Sequence, residues 1–168
     1  KIGDKEWENI TKQTTVGRFK LQKLLEQMVS EKCDVAIVEV TSHALVQSRV
    51  YGINFHTAVL TNVTNDHIEY HGSFENYCEA KRRLFKGNPE VAVLPKEDSE
   101  FAYFDEMPAK EKIMFGIKEG DITAENISCS ATKTTFVLHD KKGKKNAPLT
   151  LRIPAEHNVA NALTAAAV

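Results

Sequence analysis

Apolar residues recur at three- and four-residue spacing over residues 17–32, where Leu21, Leu24, Leu25 and Met28 share a face, and this period predicts an amphipathic helix. The β-branched run at residues 34–40 (DVAIVEV) then reads as a buried strand, and residues 57–61 (TAVLT) read as a second. Ser73 is placed to cap a helix over residues 74–85, with Phe74, Tyr77, Cys78, Lys81, Leu84 and Phe85 on one broad face. Gly87-Asn88-Pro89 closes it before a further strand at residues 91–94. Strands alternating with helices predict parallel α/β order.

Beyond about residue 111 the pattern shortens. Strands are expected at residues 113–115, 122–128, 134–139 and 149–153, with residues 141–146 (KKGKKN) as an exposed turn between the last two. A final helix begins at Asn158 and meets no stop signal before Val168, which suggests a segment cut in mid-element. The expected fold class is therefore α/β: a mostly parallel sheet flanked by helices, with a small antiparallel subsheet.

Composition narrows the function classes. A chain of 168 residues supports one domain of ordinary size, and 42% hydrophobic residues argue against intrinsic disorder. With 22 basic and 23 acidic residues the formal charge is -1, so no polyanion-coating surface and no nucleic-acid partner is expected. Cys33, Cys78 and Cys129 are odd in number and form no CxxC pair, which fits a reducing compartment. No apolar run reaches the roughly 20 residues that span a bilayer, so the expectation is a cytoplasmic protein without membrane insertion.

The candidate chemistry sits at strand ends. Glu39 lies at the carboxyl end of the 34–40 run, just before Thr41-Ser42-His43, where a carboxylate either binds a hard divalent cation or caps a helix or pairs with a base. After the next strand comes a polar loop holding His67, Glu69 and His71, which face one way if the loop is extended. Neither HExxH nor paired cysteines accompany them, leaving a zinc site or plain loop hydrogen bonding as readings. His67 joining Glu39 around magnesium or manganese requires adjacent strand ends, which the topology permits. Lys81 is the odd member of an apolar helix face, either snorkelling to water or held neutral or chemically modified. GxGxxG, GxxxxGK[ST] and GxSxG are all absent from these residues.

Three ordered blocks carry a resemblance: Glu39-Val-Thr-Ser-His-Ala-Leu-Val-Gln-Ser-Arg49, Thr61-Asn-Val-Thr-Asn-Asp-His67-Ile-Glu-Tyr-His-Gly and Tyr77-Cys-Glu-Ala-Lys81-Arg-Arg-Leu-Phe85. Together they resemble the central ATPase domain of the Mur ligases, nearest the UDP-N-acetylmuramoyl-tripeptide synthetase branch. The resemblance implies a ligase that activates a UDP-linked muramoyl dipeptide with ATP as an acyl phosphate and joins it to an amino acid in peptidoglycan synthesis. By the same resemblance Glu39 and His67 are ligands of Mg2+ or Mn2+, and Lys81 is the lysine that is carbamylated. Thr14, Thr15, Thr41, Gln47 and Arg49 are implied as contacts to the UDP-muramoyl substrate. Asn158 and Asn161 are implied at the adenine-binding helix, with Asn62 and Asp66 supporting the metal loop.

Val16 stands where the family often has proline, Thr41 where serine is common and Asn65 where arginine is commoner. The resemblance also implies that the Walker A loop, a UDP-binding N-terminal domain and an amino-acid-recognising C-terminal domain lie outside residues 1–168, so the segment alone is expected to be inactive. Two alternatives stand beside this reading: a non-catalytic Mur-like binding or regulatory module, and a folylpolyglutamate-type ligase.

Overall fold

A computed structural model of the chain describes residues 2, 5, 6 and 13–168. The fold divides into two compact units, one of Lys1–Ile53 with His67–Leu84 and the other of Asn54–Asp66 with Phe85–Val168.

Among the described residues the first unit holds four helices: α1 (Arg18–Ser30), α2 (Ser42–Val46), α3 (Ile68–His71) and α4 (Phe74–Arg82). Helix α1 follows its predicted period and buries Leu21. Ser73 caps α4 as expected, its hydroxyl accepting the Asn76 N–H at 3.2 Å. Thr41 does the same for α2, accepting from the Ala44 N–H at 3.2 Å, so a short helix forms where only a connection was expected.

The expected strand at residues 34–40 is a correction. These residues join no sheet ladder among the described residues, and Val35 and Ile37 are 71% and 89% exposed. β-branched side chains favour extended backbone, yet a strand exists only where a second strand supplies its hydrogen bonds. Here the backbone is held instead by a side chain: the Thr15 hydroxyl donates to the Glu39 carbonyl at 2.8 Å.

The second unit is built on one six-stranded sheet in sequential order: β1 (Thr57–Val59), β2 (Val91–Pro95), β3 (Glu111–Phe115), β4 (Ile122–Cys129), β5 (Thr134–Asp140) and β6 (Lys145–Leu151). Strands β1 to β4 pair in parallel, and β4 to β6 are antiparallel, which is the expected class. Helix α5 (Phe101–Asp105), absent from the sequence expectation, connects β2 to β3, and α6 (His157–Ala166) follows β6.

Strand β2, paired on both edges, is buried along almost its whole length. By contrast β5 alternates, with Thr134, Phe136 and Leu138 inward. Strand β6 begins at Lys145 rather than 149, because a shorter turn at residues 141–144 is closed by the Asp140 carboxylate accepting the Gly143 N–H at 2.8 Å. Its single paired edge tolerates Pro148.

Helix α6 lays Val159 and Leu163, with Ala167 just past its end, against Phe115, Ile122, Phe136 and Leu138. Partly buried Ala162 packs against the same cluster, whereas Ala165 and Ala166 are exposed. No helix among the described residues is long and apolar enough to cross a membrane.

Candidate functional site

Five of the implied substrate and metal residues are linked in the first unit by a continuous hydrogen-bonded network. Its hub is Thr15, which is only 2% exposed. The Thr15 hydroxyl donates to the Glu39 carbonyl at 2.8 Å and accepts the Thr41 N–H at 3.1 Å, so it fixes the backbone on both sides of Val40. Thr41 enters α2 at once as its cap, and the next turn ends at Gln47.

Arg49 completes the arrangement. Its Nη1 donates to the Thr15 carbonyl at 2.6 Å, while Nε and Nη2 donate to the single Gln47 Oε1 at 2.9 and 2.6 Å. Three of the five guanidinium N–H bonds are thereby used, leaving one on each Nη for a ligand oxygen. The remaining implied substrate residue, Thr14, is exposed. It lines a cavity of about 270 Å3 together with Thr15, Val16, Leu21, Met28, Ile37 and Glu39.

His67 does not adopt the extended geometry in which His67, Glu69 and His71 face one way. Its φ of 56° is left-handed, and it opens the single turn of α3, which Gly72 ends at φ 80°. The helical turn carries Tyr70 and His71 back over His67, through N–H bonds to its carbonyl at 3.0 and 3.2 Å, and leaves Glu69 exposed.

A ring cluster results. His43 on α2 stands edge-on to His67 at 4.8 Å and lies against Tyr70 at 3.9 Å between centroids. His71 Nε2 meets the buried Ser42 hydroxyl at 3.0 Å. Partial burial, and after it the neighbouring His43, His67 and Arg83, hold the His71 pKa below the ordinary imidazole value.

Lys81 is half-buried on α4, with its ammonium 5.1 Å from the centre of the Tyr77 ring. A cation above an aromatic face is held by the ring quadrupole, and the lysine stem covers apolar surface on the way. Among the described residues no group of three or more His, Cys, Asp or Glu forms a metal cage. An exposed carboxylate at Glu39 and an exposed imidazole at His67 nevertheless fit the donor chemistry of a divalent ion that takes one or two protein ligands and completes its shell with water and phosphate oxygens.

The other four implied residues belong to the second unit. Asn62 and Asp66 are exposed in the loop after β1, and the buried Val63 between them donates its N–H to Asp98 Oδ2 at 2.8 Å. Asp98 was not among the sequence candidates; it lies 35 residues away and no local pattern connects it to the loop. Its other oxygen accepts the Glu100 N–H at 2.9 Å, so one carboxylate ties the loop to the turn after β2. Asn158 and Asn161 stand one turn apart on α6, with Asn158 Nδ2 donating to the Pro154 carbonyl at 2.6 Å and Asn161 exposed. Tyr70 and Ser42 were also missed, because their partners lie 23 and 29 residues away.

Comparison with known proteins places this geometry in context. Residues 2–168 match the Mur ligase middle domain. The chain is 39% identical over 176 aligned residues to UDP-N-acetylmuramoyl-L-alanyl-D-glutamate--2,6-diaminopimelate ligase of Bacillus velezensis, covering 99% of this chain and 35% of that protein. A ligase of the same name from Clostridium acetobutylicum is 37% identical, with 96% and 33% covered. Among solved structures, one of a UDP-N-acetylmuramoyl-L-alanyl-D-glutamate--2,6-diaminopimelate ligase superposes with a TM-score of 0.83 at 28% identity, covering 94% of this chain and 33% of that one. MurF from Acinetobacter baumannii gives 0.61 at 29% identity over 67% of this chain and 25% of that one. The chain spans about a third of the length of the curated relatives it matches.

Proposed function

The chain belongs to the Mur ligase middle-domain family, and from that premise we propose that the protein containing it is an ATP-dependent acid–amino acid ligase of peptidoglycan synthesis. The observation that carries this reading is the Arg49 guanidinium, held by Gln47 and Thr15 with two N–H bonds left over, beside the Glu39 segment and the α2 cap. Such a fixed fork suits the phosphate or carboxylate oxygens of a UDP-linked muramoyl dipeptide.

In this reading the free carboxylate of the dipeptide attacks the γ-phosphorus of ATP, ADP leaves, and the carboxylate becomes an acyl phosphate. The amino group of the incoming residue then attacks the acyl carbon, and the tetrahedral adduct expels phosphate as the amide forms. Positioning and charge stabilisation supply most of the acceleration in such transfers, and the fixed network would contribute the positioning of the dipeptide. Glu39 and His67 would hold Mg2+ or Mn2+, which supplies charge neutralisation for the phosphate oxygens. Carbamylation of Lys81 belongs to the same reading: carbon dioxide adds to the neutral amine, a proton leaves, and an anion replaces the cation. Asn158 and Asn161 are assigned to the adenine, and Asn62 and Asp66 to support of the loop leading to His67.

The 168 residues contain no GxxxxGK[ST] loop. Phosphate transfer needs an amide cradle and lysine from outside them, so as a separate segment residues 1–168 are proposed to have no turnover. The third residue of the stem is proposed to be 2,6-diaminopimelate, which the relatives' names specify, with lysine as the competing amine.

The test uses the natural full-length protein with ATP, Mg2+, UDP-N-acetylmuramoyl-L-alanyl-D-glutamate and either amine. Amide formation with one ADP released per bond supports the ligase. Binding of the UDP-linked substrate without any turnover would return the protein to a non-catalytic module, and turnover only with folate-like substrates to the polyglutamylating class.

A further inference from the structure

Gln47 and Arg49 are long, exposed or half-exposed side chains just beyond the short helix α2, and holding either in one rotamer opposes considerable side-chain entropy. Yet the Gln47 amide has only one orientation open to it. Its Oε1 already accepts two bonds from Arg49, so its Nε2 must point the other way. There it donates to the phenol oxygen of Tyr70 at 3.1 Å.

Tyr70 is itself 46% exposed, but its ring is held by its neighbours. It has only two side-chain rotors, and its ring lies against His43 at 3.9 Å with a tilt of 35° and meets the His71 ring edge-on at 5.0 Å. Its N–H is bound to the His67 carbonyl at 3.0 Å. We propose that Tyr70 is a positioning residue: its phenol oxygen sets the Gln47 amide, and that amide sets the plane of the Arg49 fork that receives the anionic substrate. This inference rests on the ligase reading above.

The consequence is a mechanical link. His67, assigned to the metal, and Arg49, assigned to the substrate, are tied through one phenol, so the segment that holds one ligand also holds the other in register. A hydroxyl-to-hydrogen change removes the link without disturbing the ring. Removing one neutral hydrogen bond that orders an exposed side chain corresponds to about a fivefold effect on the affinity it supports.

The experiment uses the natural full-length protein and compares Tyr70→Phe, Gln47→Ala and the double variant. In Tyr70→Phe the KM for the UDP-muramoyl dipeptide rises about fivefold. The KM for ATP stays within about twofold, and kcat changes less than the dipeptide KM. In the double variant the dipeptide KM equals that of Gln47→Ala alone, because the phenol acts only through the amide. A merely structural role would move both KM values together. Additive effects in the double variant, or a dipeptide KM for Tyr70→Phe equal to that of the unsubstituted enzyme, would overturn the inference while leaving the ligase reading intact. An unsubstituted protein that forms no amide would overturn both.

Discussion

The Arg49 guanidinium donates to the main-chain oxygen of Thr15 at 2.6 Å, across 34 residues of chain. A side chain assigned to the substrate is thus fastened to the backbone of a residue whose own hydroxyl holds Glu39 and Thr41 in place. The Arg49 fork and the orientation of the Glu39 segment are therefore parts of one hydrogen-bonded arrangement.

Arg49→Lys keeps the charge and loses the fork. Lysine offers no planar pair of donors to Gln47 Oε1, and hydrogen bonds from charged groups contribute about 1.5–3 kcal/mol. We expect the affinity of the full-length protein for the UDP-muramoyl dipeptide to fall by about 10- to 100-fold, read by titration calorimetry. Unchanged affinity would show that the fork does not meet the substrate.

Thr15→Val is nearly isosteric and removes the hydroxyl that serves Glu39 and Thr41. The Glu39 carbonyl and the Thr41 N–H, both in part-buried bonds, then lose their shared partner, at a cost of about 0.5–1.5 kcal/mol for each bond. Thr15→Ser keeps the hydroxyl and should recover most of it. Hydrogen exchange at the Thr41 amide reads the effect locally, with faster exchange in the valine variant only.

Some of this fold was legible because its causes are local. Ser73 caps α4 through chemistry spanning three residues, and the period of Leu21, Leu24, Leu25 and Met28 belongs to α1 itself. What was not legible depends on distant partners. Residues 34–40 carry a strand's composition, but only a neighbouring strand turns composition into a ladder. His67, Glu69 and His71 alternate in sequence, yet the left-handed backbone at His67 and Gly72 closes them into a turn. The Gln47 to Tyr70 bond and the Asp98 staple on Val63 connect residues 23 and 35 positions apart, beyond any local pattern. The residues that the resemblance implies lie in local motifs; the side chains that bond to them across the fold follow no such pattern.

Leu163→Ala removes a side chain that is 0% exposed at the centre of the α6 packing against the sheet. Such truncations cost about 2–5 kcal/mol, the larger values where the cavity does not collapse. Urea unfolding should show a lower midpoint with little change in slope. A midpoint equal to that of the unsubstituted chain would mean that α6 does not pack there.

His71 has a depressed pKa in the folded state, caused first by burial and then by His43, His67 and Arg83. The unfolded chain therefore takes up a proton first as pH falls. Stability from this residue is fully present above the ordinary value of 6.5, declines as pH drops through it, and levels off below the folded pKa. In metal-free buffer the urea midpoint should fall between about pH 7.5 and pH 5.5, and fall less in His71→Gln. An equal fall in both proteins would remove His71 as the cause.

The most direct measurement follows oxygen through the reaction. The full-length protein is given UDP-N-acetylmuramoyl-L-alanyl-D-glutamate labelled with 18O in the free carboxylates, together with ATP, Mg2+ and 2,6-diaminopimelate. Attack by a carboxylate on the γ-phosphorus predicts that one 18O appears in the released phosphate for each amide formed. Amide formed with unlabelled phosphate, or no ATP-dependent amide at all, would contradict the assignment of these residues to an acyl-phosphate ligase.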